Sequence, residues 1–183
     1  MAQHPAGAPR VDVRTLHFLA PAITTDLFVA QLKALIGSGK PITQLTTYTM
    51  LDDLEKNDPS LHPYGKSLLY LVSQAFEEKA PTPILGLQRS LKSDLKLIRF
   101  FGLAGTEKVA DIAFSKSLDG TPRNARTEST THGGFDNDVA TMTSVLRRVL
   151  DVSDDTTVVD YFEDTVPGFD RPGVGVARVS AVV

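Results

Sequence analysis

Three short apolar runs along the chain have the pattern of buried β-strands. The first covers residues 13–20 (VRTLHFLA) and stops at Pro21, as a strand that ends in a loop does. The second run, residues 43–50, is dense in β-branched and aromatic residues, and a shorter third run covers residues 109–114. The pattern therefore predicts three strands separated by much longer segments.

Between and after these runs, apolar residues recur at the spacing of helices. One predicted helix is capped by Thr24 or Thr25, and two more cover about residues 66–78 and the segment after Pro83. A last helix begins at residue 136 or 137. In chain order, the positions predicted to face the core are Phe28, Leu32, Leu35 and Ile36, then Leu68, Val72, Ala75 and Phe76, then Leu87, Leu91, Leu95 and Ile98, then Val139, Met142, Leu146 and Val149. Strands joined through helices rather than tight turns indicate an α/β fold, a mostly parallel sheet flanked by helices in three layers.

Composition and charge exclude several classes of protein. Of the 183 residues, 42% are hydrophobic and 22% charged, as in a globular chain with a packed core. Because 19 basic residues face 22 acidic ones, we expect no nucleic-acid partner. The chain has no cysteine, which excludes disulfide frameworks, thiolate nucleophiles and cysteine-type zinc sites. It also shows no apolar run of about 18 residues and no basic leader, so we expect a cytoplasmic protein with no membrane span.

The two ends of the chain differ from its middle. Residues 1–12 are small and rich in proline, which predicts a disordered arm. Residues 151–183 hold 7 acidic and 2 basic residues and form an acidic tail. Within it, residues 174–183 alternate enough to add an edge strand, with disorder as the alternative. The folded domain is therefore expected to cover residues 13–150.

Polar residues with catalytic potential follow two of the predicted strands. Asp52 and Asp53 come directly after the second strand, in a segment (52–63) predicted to be an exposed loop or a broken helical turn. His132 follows the third strand after a polar surface loop, residues 115–131. In open parallel sheets, chemistry collects at the carboxyl ends of the strands. An imidazole there can take a proton from a serine hydroxyl, while a carboxylate on its other nitrogen fixes the tautomer.

The two glycines after His132, Gly133 and Gly134, are expected to let the backbone bend so that the imidazole points inward. Other interpretations stay open. One treats His132 as a solvent-facing loop residue and the aspartates as caps of the turn that follows the strand. Another is a metal site of hard oxygen ligands, formed by Asp52, Asp53, Glu55, Asp58, His132, Asp136 and Asp138. The sequence has no second histidine at ligand spacing, and the acidic segment after the second strand lacks the central glycine of a calcium loop. We therefore predict neither a metal nor another cofactor.

Four segments carry a resemblance to a known family. They are residues 16–28 (LHFLAPAITTDLF), 45–58 (LTTYTMLDDLEKND), 66–73 (KSLLYLVS) and 131–138 (THGGFDND). Together, across roughly residues 13–150, they look like the C-terminal half of bacterial α/β-hydrolase-fold proteins. The resemblance implies an esterase-like acyl hydrolase that acts on a small-molecule ester through a Ser-His-Asp relay. It also implies His132 as the general base and Asp52 as the carboxylate that orients it, with Asp53 as the neighbouring alternative.

The chain departs from that family at the nucleophile. Family members carry a Gly-x-Ser-x-Gly motif and an oxyanion donor upstream of the acid and base, and neither occurs here. Ser73 and Ser90 fall inside predicted helices and cannot replace the missing serine. We therefore expect the chain to be inactive alone. It would then be a truncated hydrolase, one half of a hydrolase completed by a partner chain, or a non-catalytic binding module whose open sheet edge self-associates or pairs with a partner.

Overall fold

The structure is a computed structural model that describes residues 11–58, 63–76, 80–105, 107–162 and 176–179. Residues 1–10 of the predicted arm lie outside these ranges. The strands and helices are β1 (Val13–Leu19), α1 (Thr25–Gln31), β2 (Ile42–Met50), α2 (Asp52–Lys56), α3 (Leu68–Leu71), α4 (Gln88–Ser93), α5 (Leu95–Phe100), β3 (Asp111–Ser115), α6 (Val139–Val149), β4 (Val159–Phe162) and β5 (Val176–Val179). No helix within the described ranges is both long enough and apolar enough to cross a bilayer.

The first three strands form one parallel sheet with β2 in the middle. Because helices carry the chain from each strand to the next, the predicted α/β fold with a parallel sheet is confirmed at this level. β5 lies in the segment that was expected to add an edge strand. Its partner is β4, with which it forms a separate antiparallel pair.

One face of the sheet carries an aromatic and aliphatic core. Phe28 of α1 packs against Phe100 and Phe101, with ring centroids 5.7 and 6.3 Å away. Leu45 of β2 belongs to the same buried cluster. The hydroxyl of Thr24 accepts a hydrogen bond from the N–H of Leu27 at 3.2 Å and caps α1, as predicted. On this face, apolar side chains of the sheet and the helices exclude water from one another.

The opposite face of the sheet carries a second apolar cluster with Tyr48 and Met50, and α6 packs on this face through Val145 and through several polar side chains. Val139 and Val149, which were predicted to face the core, are 47% and 45% exposed. The residues of α6 that are buried instead are Thr141, Thr143, Ser144 and Arg147. The predicted orientation of α6 is therefore wrong.

The physical reason is that the sheet presents polar groups to α6. The hydroxyls of Tyr48 and Ser144 share a hydrogen bond of 2.8 Å, and Arg148 donates to the carboxylate of Asp111 at 2.5 Å. A buried polar group needs a partner, so α6 turns toward the sheet the side that can supply one. The preceding loop follows the same rule: Thr127 is buried and bonded to a hydroxyl of α6, so the prediction of a surface loop over residues 115–131 is wrong at this position.

The segment predicted as one helix over residues 66–78 begins as α3 and continues as a π-helical turn, Val72–Phe76. Leu69 and Tyr70 are buried, whereas Leu68 and Phe76 are exposed, so the predicted apolar stripe is wrong. The inward side of this segment also carries a polar group, because the Ser73 hydroxyl donates to the carbonyl of Thr82 at 2.7 Å. Residues 77–79 lie outside the described ranges.

The helix predicted after Pro83 is split at Asp94. The side chain of Asp94 accepts a hydrogen bond from the N–H of Lys96 at 2.7 Å and starts α5 as a new helix. This break rotates the second half, so Leu97 and Phe100 are buried while Leu95 is exposed. The predicted inward position of Leu95 is therefore wrong.

Gly86 belongs to the segment between α3 and α4 and packs beside the carboxyl ends of β1 and β2. Its N–H donates to the carbonyl of Pro21 at 3.0 Å, and its carbonyl accepts a hydrogen bond from the Thr49 hydroxyl. A Cβ at this position would lie 2.6 Å from the oxygen of Pro21 and 2.7 Å from Cδ1 of Leu69. Only glycine allows this close approach of the backbone to its neighbours.

We predict that Gly86→Ala lowers the free energy of unfolding by about 1–3 kcal/mol, because the added methyl group overpacks the junction. Gly133→Ala is the matched control, since a Cβ built there meets no atom of the described residues within 4 Å beyond its own chain neighbours. Chemical denaturation of both variants checks the prediction. Equal loss of stability in the two variants would contradict it.

Candidate functional site

The segments that follow β2 and β3 meet at the carboxyl end of the sheet. The carboxylate of Asp58 accepts a hydrogen bond from the main-chain N–H of His132 at 2.7 Å, although 74 residues separate the two in the chain. Asp58 is buried, and the His132 side chain is partly buried. The two strand ends therefore bring a carboxylate and a histidine together, and Asp58 makes this contact.

The imidazole of His132 is held in a neutral form. Its Nδ1 atom is buried and has no hydrogen-bond partner among the described residues. Burial lowers the pKa of His132, and the negative charge of Asp58 acts against this decrease. A neutral imidazole at pH 7 can accept a proton, which is the property that a general base requires.

Glu55 is the most unusual carboxylate at this edge of the sheet. It is 0% exposed, and neither of its carboxylate oxygens has a hydrogen-bond partner in the part of the chain that the structure describes. Burial raises the pKa of Glu55 to about 7. The nearby Ser67 hydroxyl lowers it, whereas the charges of Asp58 and Asp52 raise it. Glu55 therefore changes its charge near neutral pH.

The two aspartates predicted as the orienting acid make other contacts. The carboxylate of Asp52 accepts a hydrogen bond from the Tyr70 hydroxyl at 3.5 Å and pairs with Lys56 at 3.5 Å. Asp53 is exposed. An orienting carboxylate would hold the His132 ring through Nδ1, which has no partner among the residues described. The pairing of His132 with Asp52 or Asp53 stays a prediction.

The segment after β2 is thus a short helix that contains one buried acid, Glu55, and is followed closely by a second, Asp58. A helical turn was one of its two predicted forms, and α2 is such a turn. Its predicted exposure is wrong for Glu55 and Asp58, because the His132 loop and Ser67 cover them. Residues 59–62 lie outside the described ranges. Asp52, Glu55 and Asp58 follow one another at intervals of three residues, a spacing that places side chains on one side of a helical turn. The sequence therefore contained a sign that these acids could lie together.

Tyr70 and Arg89 also belong to this edge, and the sequence did not single them out. The guanidinium of Arg89 lies over the Tyr70 ring, 4.3 Å from its centroid. Burial raises the pKa of Tyr70, and the negative charge of Asp52 raises it further. The phenol therefore stays protonated at neutral pH and donates to Asp52. Both residues lie on helices. The apolar periodicity of a helix indicates which side is buried, and it does not indicate contacts between particular polar side chains.

The geometry does not support the metal-site alternative. No group of three or more histidine, aspartate or glutamate side chains is arranged to hold a metal ion within the described ranges. Asp138, one of the suggested ligands, instead caps α6 by accepting a hydrogen bond from the N–H of Thr141 at 3.0 Å. Asp136 is exposed.

The two glycines after His132 differ in what they contribute. They belong to a tight turn, His132–Gly134, in which neither has a positive φ, so the turn itself does not require glycine at these positions. At Gly134 a Cβ would lie 2.7 Å from the Thr131 hydroxyl and 2.9 Å from the Ser129 hydroxyl. Gly134 therefore permits tight packing of the loop, whereas Gly133 meets no such restriction.

The serines considered as nucleophiles have structural contacts. The Ser73 hydroxyl donates to the carbonyl of Thr82 and accepts from Arg89 at 3.0 Å. The Ser90 hydroxyl accepts from the N–H of Ile84 at 3.2 Å. Both serines tie neighbouring segments together, so the described site contains a base and acids without a nucleophile assigned to it.

Comparisons with known proteins find no matching protein family, no curated protein and no solved structure with significant similarity. The relation to the α/β-hydrolase-fold proteins therefore stays an expectation from the sequence.

The raised pKa of Glu55 predicts how stability depends on pH. A carboxyl group whose pKa is higher in the folded protein binds its proton more tightly when folded. Its contribution to stability is fully present below its ordinary pKa of 4.5 and is lost as the pH rises through about 7. Glu55→Gln removes this loss, because the amide stays neutral.

We expect Glu55→Gln to gain about 3 kcal/mol in unfolding free energy relative to the wild type between pH 5 and pH 8. The lowered pKa values of His17 and His132 act in the opposite sense, but they act in both proteins and largely cancel in the comparison. Asp53→Asn, an exposed acid on the same helix, is the control and should follow the wild type. Denaturation curves across this pH range that run parallel for wild type and Glu55→Gln would refute the prediction.

Proposed function

We propose that this chain is the acid–base half of an acyl hydrolase of the α/β-hydrolase type, with His132 as its general base. The contact between Asp58 and the main chain of His132 carries the proposal, because it joins the segments after two parallel strands at the edge where α/β enzymes place their chemistry. The imidazole, whose pKa is lowered by burial, is neutral at pH 7 and free to accept a proton, and Asp58 is the acid beside it.

In the proposed reaction, a hydroxyl oxygen attacks the acyl carbon of an ester while its proton passes to Nε2 of His132. The imidazolium that forms is stabilised by the charge of Asp58. The same proton then goes to the leaving alcohol as the ester bond breaks. The resemblance to α/β-hydrolases assigns the orienting contact on Nδ1 to Asp52.

The attacking hydroxyl comes from outside the site described above. The 183 residues contain no Gly-x-Ser-x-Gly motif. A serine supplied by another segment or by a partner chain would complete the relay, and the substrate class is a small ester. The site can therefore be tested only with an ester that reacts without a serine.

Hydrolysis of p-nitrophenyl acetate, an activated ester, supplies this test. We predict that the wild type accelerates the reaction and that His132→Gln lowers this rate by about tenfold or more, because the base is lost. His17→Gln is the matched control, since His17 is a second partly buried histidine with lowered pKa, placed in β1 beside Tyr48. Circular dichroism verifies that both variants fold.

A wild-type rate equal to that of buffer would overturn the proposal. Equal losses in His132→Gln and His17→Gln would do the same, because they would show non-specific catalysis by histidine.

A non-catalytic binding module is the second candidate, and the open sheet favours it. β1 and β3 are the two edges of the parallel sheet, and each pairs with a strand on one side only among the residues described. An edge with free N–H and C=O groups can pair with another strand. Such a module would bind through its main chain, independently of His132.

For this second candidate we predict self-association through the open edge, measured by sedimentation velocity over a wide concentration range. The sedimentation coefficient should rise with concentration and be the same for wild type and His132→Gln. A monomer at every concentration would contradict the binding module and leave the ester test as the deciding experiment.

A further inference from the structure

A cavity of about 440 Å³ lies outside the aromatic layer of the sheet, between α5 and the segment that leads into β3. Its charged lining residues are Lys33, Lys96, Arg99 and Glu107. Lys33 follows α1, Lys96 and Arg99 belong to α5, and Glu107 precedes β3. None of them belongs to the candidate site at the carboxyl end of the sheet, so the cavity is a separate feature of the fold.

Positive charge dominates this lining. Three basic side chains stand against the single carboxylate of Glu107, which leaves a net charge of +2, whereas the whole chain carries −3. None of the three basic groups forms an ion pair within the ranges that the structure describes. Lys96 and Arg99 are exposed and Lys33 is only partly buried. The cavity therefore presents accessible cations that have no anionic partner among the described residues.

Apolar surface adjoins these cations. Leu95 and Val109 line the same cavity and are 69% and 49% exposed. The new helix start at Asp94 is the reason that Leu95 faces outward. The ammonium group of Lys33 lies over the ring of Phe100, 5.5 Å from its centroid, and this contact holds the charge at the cavity wall. Exposed apolar side chains beside unpaired cations are complementary to a molecule that has both an anionic and an apolar group.

We propose that this cavity binds a soluble phosphate monoester whose organic group is apolar. Such a phosphate carries about 1.5 to 2 negative charges at pH 7, which balances the net charge of the lining. The guanidinium of Arg99 can donate to two phosphate oxygens, and the two lysines add point charges. The organic group removes the exposed surface of Leu95 and Val109 from water. A volume of this size is typical of small-molecule pockets and favours a soluble ligand over a flat membrane surface.

Amide NMR signals of the isotope-labelled full chain, followed at constant ionic strength, test the proposal with three probes. Phenyl phosphate has both the phosphate and an apolar ring, inorganic phosphate has only the anion, and phenol has only the ring. Phenyl phosphate should cause saturable shifts at residues 33, 95–100 and 107–109. The other two probes should bind about tenfold more weakly or less, because each lacks one of the two contacts.

Two variants separate the charged contact from the apolar one. Arg99→Ala should raise the dissociation constant of phenyl phosphate about tenfold, because it removes the guanidinium. Leu95→Ser should weaken phenyl phosphate about threefold and leave inorganic phosphate unchanged, because it removes only apolar surface. Both side chains are exposed, so the variants keep the fold. Lys116→Ala, an exposed lysine just beyond the other end of β3, is the matched control and should bind as the wild type does.

Three outcomes would overturn the proposal. The first is the absence of saturable shifts around the cavity with phenyl phosphate. The second is equal affinity for phenyl phosphate and inorganic phosphate, since the apolar surface would then take no part. The third is an equal loss in Arg99→Ala and Lys116→Ala, which would show only general charge attraction.

Discussion

The fold depends on a buried polar contact surface between the parallel sheet and α6. The hydrogen bond between Tyr48 and Ser144 and the ion pair between Asp111 and Arg148 join the two layers where an apolar stripe was expected. Because burial makes an unpaired hydroxyl or charged group unfavourable, these pairs restrict the rotation and the height of α6 on the sheet. Since α6 begins at its cap, six residues after His132, this constraint also fixes where the histidine loop enters the carboxyl edge.

Local signals were sufficient for the strands and insufficient for the orientation of α6. β2 is recognisable because its β-branched and aromatic residues favour an extended chain wherever they pack. Helical periodicity divides α6 into an apolar side and a polar side. Which of the two faces the sheet depends on the side chains that the facing strands present. Here the strands offer the Tyr48 hydroxyl and the Asp111 carboxylate, residues far away in sequence. The apolar side therefore stays partly in solvent, as the exposure of Val139 and Val149 shows.

The same division applies to the candidate site. The rule that chemistry collects at the carboxyl ends of parallel strands led to the segments after β2 and β3, and these segments do meet. Which acid contacts His132 could not be predicted, because Asp58 reaches the loop only through the turn formed by α2. The burial of Glu55 likewise depends on Ser67, whose main-chain N–H donates to the Glu55 carbonyl at 2.9 Å. Such contacts between distant segments leave no periodic trace in the sequence.

The two sides of the sheet also respond differently to solvent. On the side of Phe28, separating the layers exposes aromatic rings that water cannot satisfy. On the side of α6, water molecules can replace the hydroxyl and carboxylate partners of Ser144 and Arg148, but separation also exposes the apolar cluster that includes Met50, against which Val145 of α6 packs. Lifting α6 from the sheet therefore breaks polar contacts that solvent can restore and apolar contacts that it cannot. The two faces thus differ in how many kinds of contact must fail together, one kind on the side of the phenylalanines and two on the side of α6.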